Sequence, residues 1–111
     1  MHKYGIKISQ AAQNDLEQAV GYIALTLHEP ETAKRLYQSI KAAILTLAEL
    51  PERFGLLEET PYAARGVRRL LVGNYVVFYV VREDRKQVDV LRILYYRREW
   101  EPLLHLDEIE E

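Results

Sequence analysis

With 111 residues, 49% of them apolar and 29% charged, the chain has the balance of one globular domain large enough to bury a core. It contains no cysteine, which excludes disulfides, thiol catalysis and cysteine-ligated zinc, and no apolar run approaches the roughly 18 residues that a membrane span needs. The formal net charge of −2 conceals a segregation: residues 1–60 carry six Lys/Arg against eight Asp/Glu, residues 61–98 nine against three, and residues 99–111 none against six.

The chain starts with Met1-His2-Lys3-Tyr4 and passes directly into strand-like alternation, without the apolar stretch of a signal peptide, so a cytoplasmic location is expected. In Lys3 to Ser9, Tyr4, Ile6 and Ile8 alternate with Lys3, Gly5 and Lys7, the pattern of a short half-buried strand. Ser9 is placed to cap a following helix. From Gln10 to about His28, Ala12, Leu16, Ala19, Val20, Ile23 and Leu27 recur at helical spacing and define one apolar stripe, with Asp15, Glu17 and Gln18 expected to face away from it. Pro30 suits the first turn of a second helix, on which Leu36, Ile40, Ala43, Ile44 and Leu47 repeat the period until Pro51. The short connector makes the two an antiparallel hairpin facing a common core.

Residues 51–64, with two prolines and a glycine, read as a loop. The apolar period then changes to two. "GVRRLLV" is a strand, Gly73-Asn74 a tight hairpin turn, "YVVFYVV" a second strand, "REDRKQ" a polar turn and "VDVLRILYY" a third strand. The last two are apolar on both faces and should be central, whereas Tyr75 and Tyr79 are expected to serve strand packing. The predicted class is α+β: an N-terminal strand, then a two-helix hairpin packed on a small antiparallel-dominated sheet, in the order β-αα-βββ. The first strand must join that sheet, at an edge or beside the last strand. Residues 1–104 are expected to form a single domain, followed by an acidic tail over residues 105–111.

Most catalytic inventories are empty. His2, His28 and His105 lie far apart without metal-ligand spacing, and no glycine-rich phosphate loop, dinucleotide fingerprint or serine nucleophile elbow is present, so neither a metal nor a cofactor is expected. The adjacent pair Glu58-Glu59 reads as a solvated loop. What remains is arginine and tyrosine. Arg65, Arg68 and Arg69 enter one strand, and Arg92, Arg97 and Arg98 occupy or follow the last, together with Tyr95, Tyr96 and Trp100. Guanidinium groups gathered on the sheet face away from the helices could hold a phosphate bidentately, and Tyr95 or Tyr96 could supply a proton or stack a base. The same groups would equally serve an acidic protein partner, or could simply border the sheet and pair with acids such as Glu99 and Glu101.

Three stretches, "ISQAAQNDLEQAVGYI", "GVRRLLVGNYVVFYVV" and "VLRILYYRREW", resemble the RelE/ParE superfamily of toxins from bacterial type II toxin–antitoxin modules, known also as addiction or plasmid-stabilisation modules. The likeness runs through residues 4–100 and keeps both element order and spacing. It implies a toxin neutralised by a cognate antitoxin, in a toxin–antitoxin hetero-oligomer, and one of two targets. ParE-like members inhibit DNA gyrase; RelE-like members are mRNA interferases that cleave message on the ribosome. In the RNase arm the strand after the hairpin reads like Tyr-Arg-Leu-Val-Tyr, and its arginine contacts the phosphate. Here Tyr75-Val76-Val77-Phe78-Tyr79 places Val76 at that position. Arg97 falls where the RNase arm has an arginine, but the family's downstream tyrosine maps to Leu103, and Tyr95 stands where many ParE-like members have histidine. The resemblance thus favours a ParE-like gyrase poison, with Arg65, Arg68, Arg69, Arg97, Arg98 and Trp100 as target or antitoxin contacts. The alternative is a RelE-like endoribonuclease using Arg68, Arg92, Arg97, Tyr95 and Tyr96. A third reading is a member that binds antitoxin but has lost toxicity. The acidic tail, residues 105–111, lies beyond the matched region and reads as frayed and solvated, the alternative being that it folds back over the arginines as a weak autoinhibitor.

Overall fold

The computed structural model describes residues 3–49, 51 and 65–96. The elements follow the order expected from periodicity: β1 (Gly5–Ile8), α1 (Gln10–Gly21), α2 (Pro30–Leu45), β2 (Arg68–Val72), β3 (Tyr75–Arg82) and β4 (Gln87–Tyr95). The four strands form one sheet in the order β1-β4-β3-β2. β2, β3 and β4 are antiparallel neighbours, whereas β1 lies parallel to β4. The first strand is therefore at an edge and beside the last strand at once.

Local chemistry sets the element ends. Ser9 has extended backbone and its Oγ accepts from the Ala12 N–H at 3.0 Å, the cap that the sequence suggested. Pro30 opens α2, where its missing N–H is no loss. Gly73 turns the β2–β3 hairpin with φ of 59°, the left-handed value a tight hairpin needs at its first central position.

The first helix departs from the single run expected to about His28. After Gly21 it widens into a π turn, Tyr22–Thr26, closed by the Leu27 N–H donating to the Tyr22 carbonyl at 3.1 Å. His28, at φ of 58°, stops it. The wider turn rotates the apolar stripe out of register, so Leu27, expected in the core, is exposed.

The core forms where Ala12 of α1 and Ile40 and Ile44 of α2, with Leu47, meet Leu70, Val77, Tyr79, Val88, Val90 and Ile93 of the sheet. Five consecutive residues of β3, Val76 to Val80, are buried, so this strand is covered on both faces. Tyr79 is wholly buried, and its hydroxyl donates to the Pro51 carbonyl at 2.6 Å. Tyr79→Phe removes that donor and leaves a buried carbonyl short of a partner. We expect a loss of about 1–2 kcal/mol in urea unfolding, with the fold retained.

Candidate functional site

The arginines of the C-terminal half are positioned by an irregularity in β4. Phe78 pairs with Arg92 but Tyr79 pairs with Val90, so Leu91 is an extra residue. Val88 and Val90 face the helices, and strict alternation would send Arg92 after them. The extra residue shifts the phase, Ile93 enters the core instead, and Arg92 emerges beside α1.

α1 then binds the irregular segment. β1 ends at Ile8, which leaves the β4 backbone beyond Val90 without a neighbouring strand on that side. The Ser9 hydroxyl donates to the Leu91 carbonyl at 2.8 Å. Asp15 supplies the rest: its two carboxylate oxygens accept from Arg92 Nε and a terminal Arg92 nitrogen, each at 2.7 Å, and Oδ2 also accepts from the Ile93 N–H at 2.9 Å. The Asp15 side chain is only 8% exposed and that of Arg92 17%. Asp15 thus faces inward, against the expectation that it would face solvent with Glu17 and Gln18. The signal was present: residue 15 sits three after Ala12 and four before Ala19, on the apolar stripe, where a carboxylate requires a buried partner.

The remaining candidates do not form one cluster. Arg68 is paired across the sheet with Tyr79, which lies in the core, so Arg68 is on the helix side of β2. Arg69 is paired with Phe78 and so stands on the face of β2 away from the helices. Arg65 is exposed in the turn before β2. The anticipated gathering of guanidinium groups on one face is therefore not seen for Arg68 and Arg69, which alternate across the strand. Arg97, Arg98 and Trp100 lie outside the described residues, as do Leu103, Glu58, Glu59, Glu99, Glu101 and the tail over residues 105–111. Among the described cations, Arg82 is 3.0 Å from Asp89, Lys86 is 3.0 Å from Glu83, and Arg85 is 3.9 Å from Asp84. Those acids belong to the same basic stretch. Asp15 comes from α1 and lowers its positive balance further.

Tyr75, Tyr95 and Tyr96 make an aromatic ledge at the turn end of the sheet. Tyr75 and Tyr95 meet edge to face with centroids 5.6 Å apart, and Tyr96 lies 5.9 Å from Tyr95. The Tyr96 N–H donates to the Asn74 carbonyl at 2.9 Å, which ties the ledge to the hairpin. Tyr95 and Tyr96 are 42% and 44% exposed. Burial, then the neighbouring Tyr95, raises the Tyr75 pKa above its ordinary value. Among the described residues no group of three His, Asp or Glu side chains could hold a metal ion, and no helix is long and apolar enough to cross a membrane.

The family of ParE toxins of type II toxin–antitoxin systems, parDE, matches residues 6–100 of the chain. The chain belongs to this family. It is a toxin of the RelE/ParE superfamily, as the three sequence stretches suggested. No match is found among curated proteins. Among solved structures, the chromosomal ParDE system of P. aeruginosa is similar with a TM-score of 0.70 and 24% identity, over 86% of this chain and 98% of the other. The RelBE toxin–antitoxin complex of Mycobacterium tuberculosis gives 0.61 and 20%, over 86% and 93%. A double-arginine mutant of E. coli RelE in the free state gives 0.65 and 14%, over 97% and 99%. At these identities the structures bear out the α+β fold, two helices on a four-stranded mixed sheet.

Two outcomes follow from this geometry. Asp15→Ala strands a largely buried guanidinium and should cost about 3–5 kcal/mol in urea unfolding. Arg92→Ala should be similarly harmful, and the double variant should lose clearly less than the two single losses combined. For Tyr75, the folded state holds the phenolic proton more tightly than the unfolded chain. Its contribution to stability is complete below a pH of about 10 and declines as pH rises through the raised folded pKa. The urea midpoint should therefore fall on going to alkaline pH, and fall less in Tyr75→Phe.

Proposed function

We propose that this toxin acts without catalysing a reaction of its own, binding DNA gyrase and stalling it with DNA cleaved, and that a cognate antitoxin neutralises it. The observation that carries this reading is Val76. It stands where RelE-like ribonucleases have a phosphate-binding arginine, and it is 5% exposed, set between Leu71 and Leu94 on the neighbouring strands. A buried valine offers a phosphate nothing, and no guanidinium takes its place in that row of the sheet.

Arg92 adds support. Metal-free RNA cleavage asks a guanidinium to follow charge as it develops on the scissile phosphate. The Arg92 guanidinium is already engaged bidentately by Asp15 and anchored in the fold. The antitoxin reading is supported by the family match and by the ParDE and RelBE systems among similar structures.

The second reading, a RelE-like ribosome-dependent mRNA endoribonuclease, is favoured by one observation: the half-exposed Tyr95 and Tyr96 side chains at the end of β4, able to stack a base or donate a proton. Brief induction without antitoxin separates the two. We expect thymidine incorporation to stop before methionine incorporation, and purified toxin to accumulate cleaved DNA with gyrase. Methionine incorporation stopping first, with message cut on ribosomes, would transfer the assignment to the ribonuclease arm. Sustained growth with soluble, folded toxin would mean that toxicity has been lost.

A further inference from the structure

β2 forms the other edge of the sheet. Val72 and Tyr75 flank the two-residue turn and bond to each other, so Arg68, Leu70 and Val72 point their backbone groups at β3. Arg69 and Leu71 point theirs outward. Among the described residues nothing bonds to those outward groups. The side chains of the same two residues stand on the face away from the helices, where Leu71 is 64% exposed. Arg69 is exposed beside it, and Arg65 is exposed in the turn before the strand. From the hairpin end downward, this edge therefore presents an apolar group and then two cations, with main-chain donors and acceptors open along it.

The chain itself holds a segment of matching order. β2 and β4 run in the same direction, and the Tyr96 N–H donates to the Asn74 carbonyl, so the chain leaves β4 at the β2–β3 turn. A continuation that doubles back along the outer edge of β2 runs antiparallel to it and meets Leu71 before Arg69 and Arg65. Beyond Tyr96 the apolar residues Leu103, Leu104 and Leu106 come first, and Asp107, Glu108, Glu110 and Glu111 follow. Reach is ample, since residues 97–103 extend to about 23 Å, against about 10 Å for two strand spacings.

We propose that residues 103–110 close on this edge as an added antiparallel strand, an acidic strap that the chain carries for its own β2. With Leu103 paired to Val72, Leu104 lies opposite Leu71 and Leu106 opposite Arg69, and their backbones take up the outward N–H and C=O groups. On the same face Glu108 stands diagonal to Arg69, and Glu110 comes level with the turn that holds Arg65, so each cation meets a carboxylate. Asp107 falls opposite Arg68 on the other face. A second copy paired at this edge would instead bring two sets of arginines together. The family match ends at residue 100, so the strap lies outside the matched toxin domain. Resting on the reading of Arg65 and Arg69 as target contacts, its closure holds the toxin in check.

The test uses the full-length chain and reads amide hydrogen exchange residue by residue. The outward Leu71 amide should exchange at least about tenfold more slowly than in a chain carrying Asp107→Asn, Glu108→Gln, Glu110→Gln and Glu111→Gln. The Leu70 and Val72 amides, bonded to β3, should be unchanged, which shows that the fold is kept. Arg69→Glu should speed the Leu71 amide as much, and adding Glu108→Arg to it should restore slow exchange. At equal expression without antitoxin, the neutralised chain should arrest growth at severalfold less inducer. A Leu71 amide that exchanges equally fast in all these chains would overturn the strap, whatever the target proves to be. Protection that grows with protein concentration would make the occupant a second copy and overturn it too. A strap that opens on neutralisation with toxicity unchanged would overturn the restraint. The same opening with neither chain toxic would overturn the target reading and leave the strap standing.

Discussion

The fold depends on a carboxylate that is nearly out of reach of water. Asp15 accepts three hydrogen bonds, two from Arg92 and one from the Ile93 backbone, and so serves a side chain and a strand edge together. Neither charge would be tolerable alone at this depth, and the geometry is good enough to offset much of their desolvation. The extra residue at Leu91 makes the pair possible by turning Arg92 out of the core. Where β1 ends, α1 takes over as the neighbour of β4, using side chains where a strand would have used backbone.

Much of this architecture is legible in the sequence. Local signals are strong at Ser9, Pro30 and Gly73-Asn74, and each sits where a backbone group lacks a partner or needs an unusual dihedral angle. The unbroken apolar run from Tyr75 to Val81 marks β3 as central because only a strand covered on both faces can lack polar alternation. Less legible were features that depend on registry between distant segments. The phase shift in "VDVLRIL" is visible once Val88, Val90 and Ile93 are known to share a face, but either phase is compatible with the letters alone. The inward turn of Asp15 has the same origin, since its partner is 77 residues away. Arg68 and Arg69 are neighbours in the sequence, and adjacency in a strand places them on opposite faces.

These details redistribute the chemistry. Among the described residues of the basic half, Arg82, Arg85, Lys86 and Arg92 each stand beside a carboxylate. Among the described residues, most exposed large side chains fall instead on the helical hairpin and the tyrosine ledge, including Tyr22, Leu25, Tyr37, Tyr95 and Tyr96, with Leu71 on β2 besides. Exposed aromatic and aliphatic groups of this kind suit burial against another macromolecule.

The parallel pairing of β1 with β4 also carries a schedule. The strand made first can find its place only after the strand made last, and the Asp15 clamp waits for the same event. On a translating ribosome the helical hairpin can gather early, yet the sheet stays open and the β4 arginine and tyrosines are not yet made. Completion is thus postponed until β4 has been made, and closing so long a loop is slow.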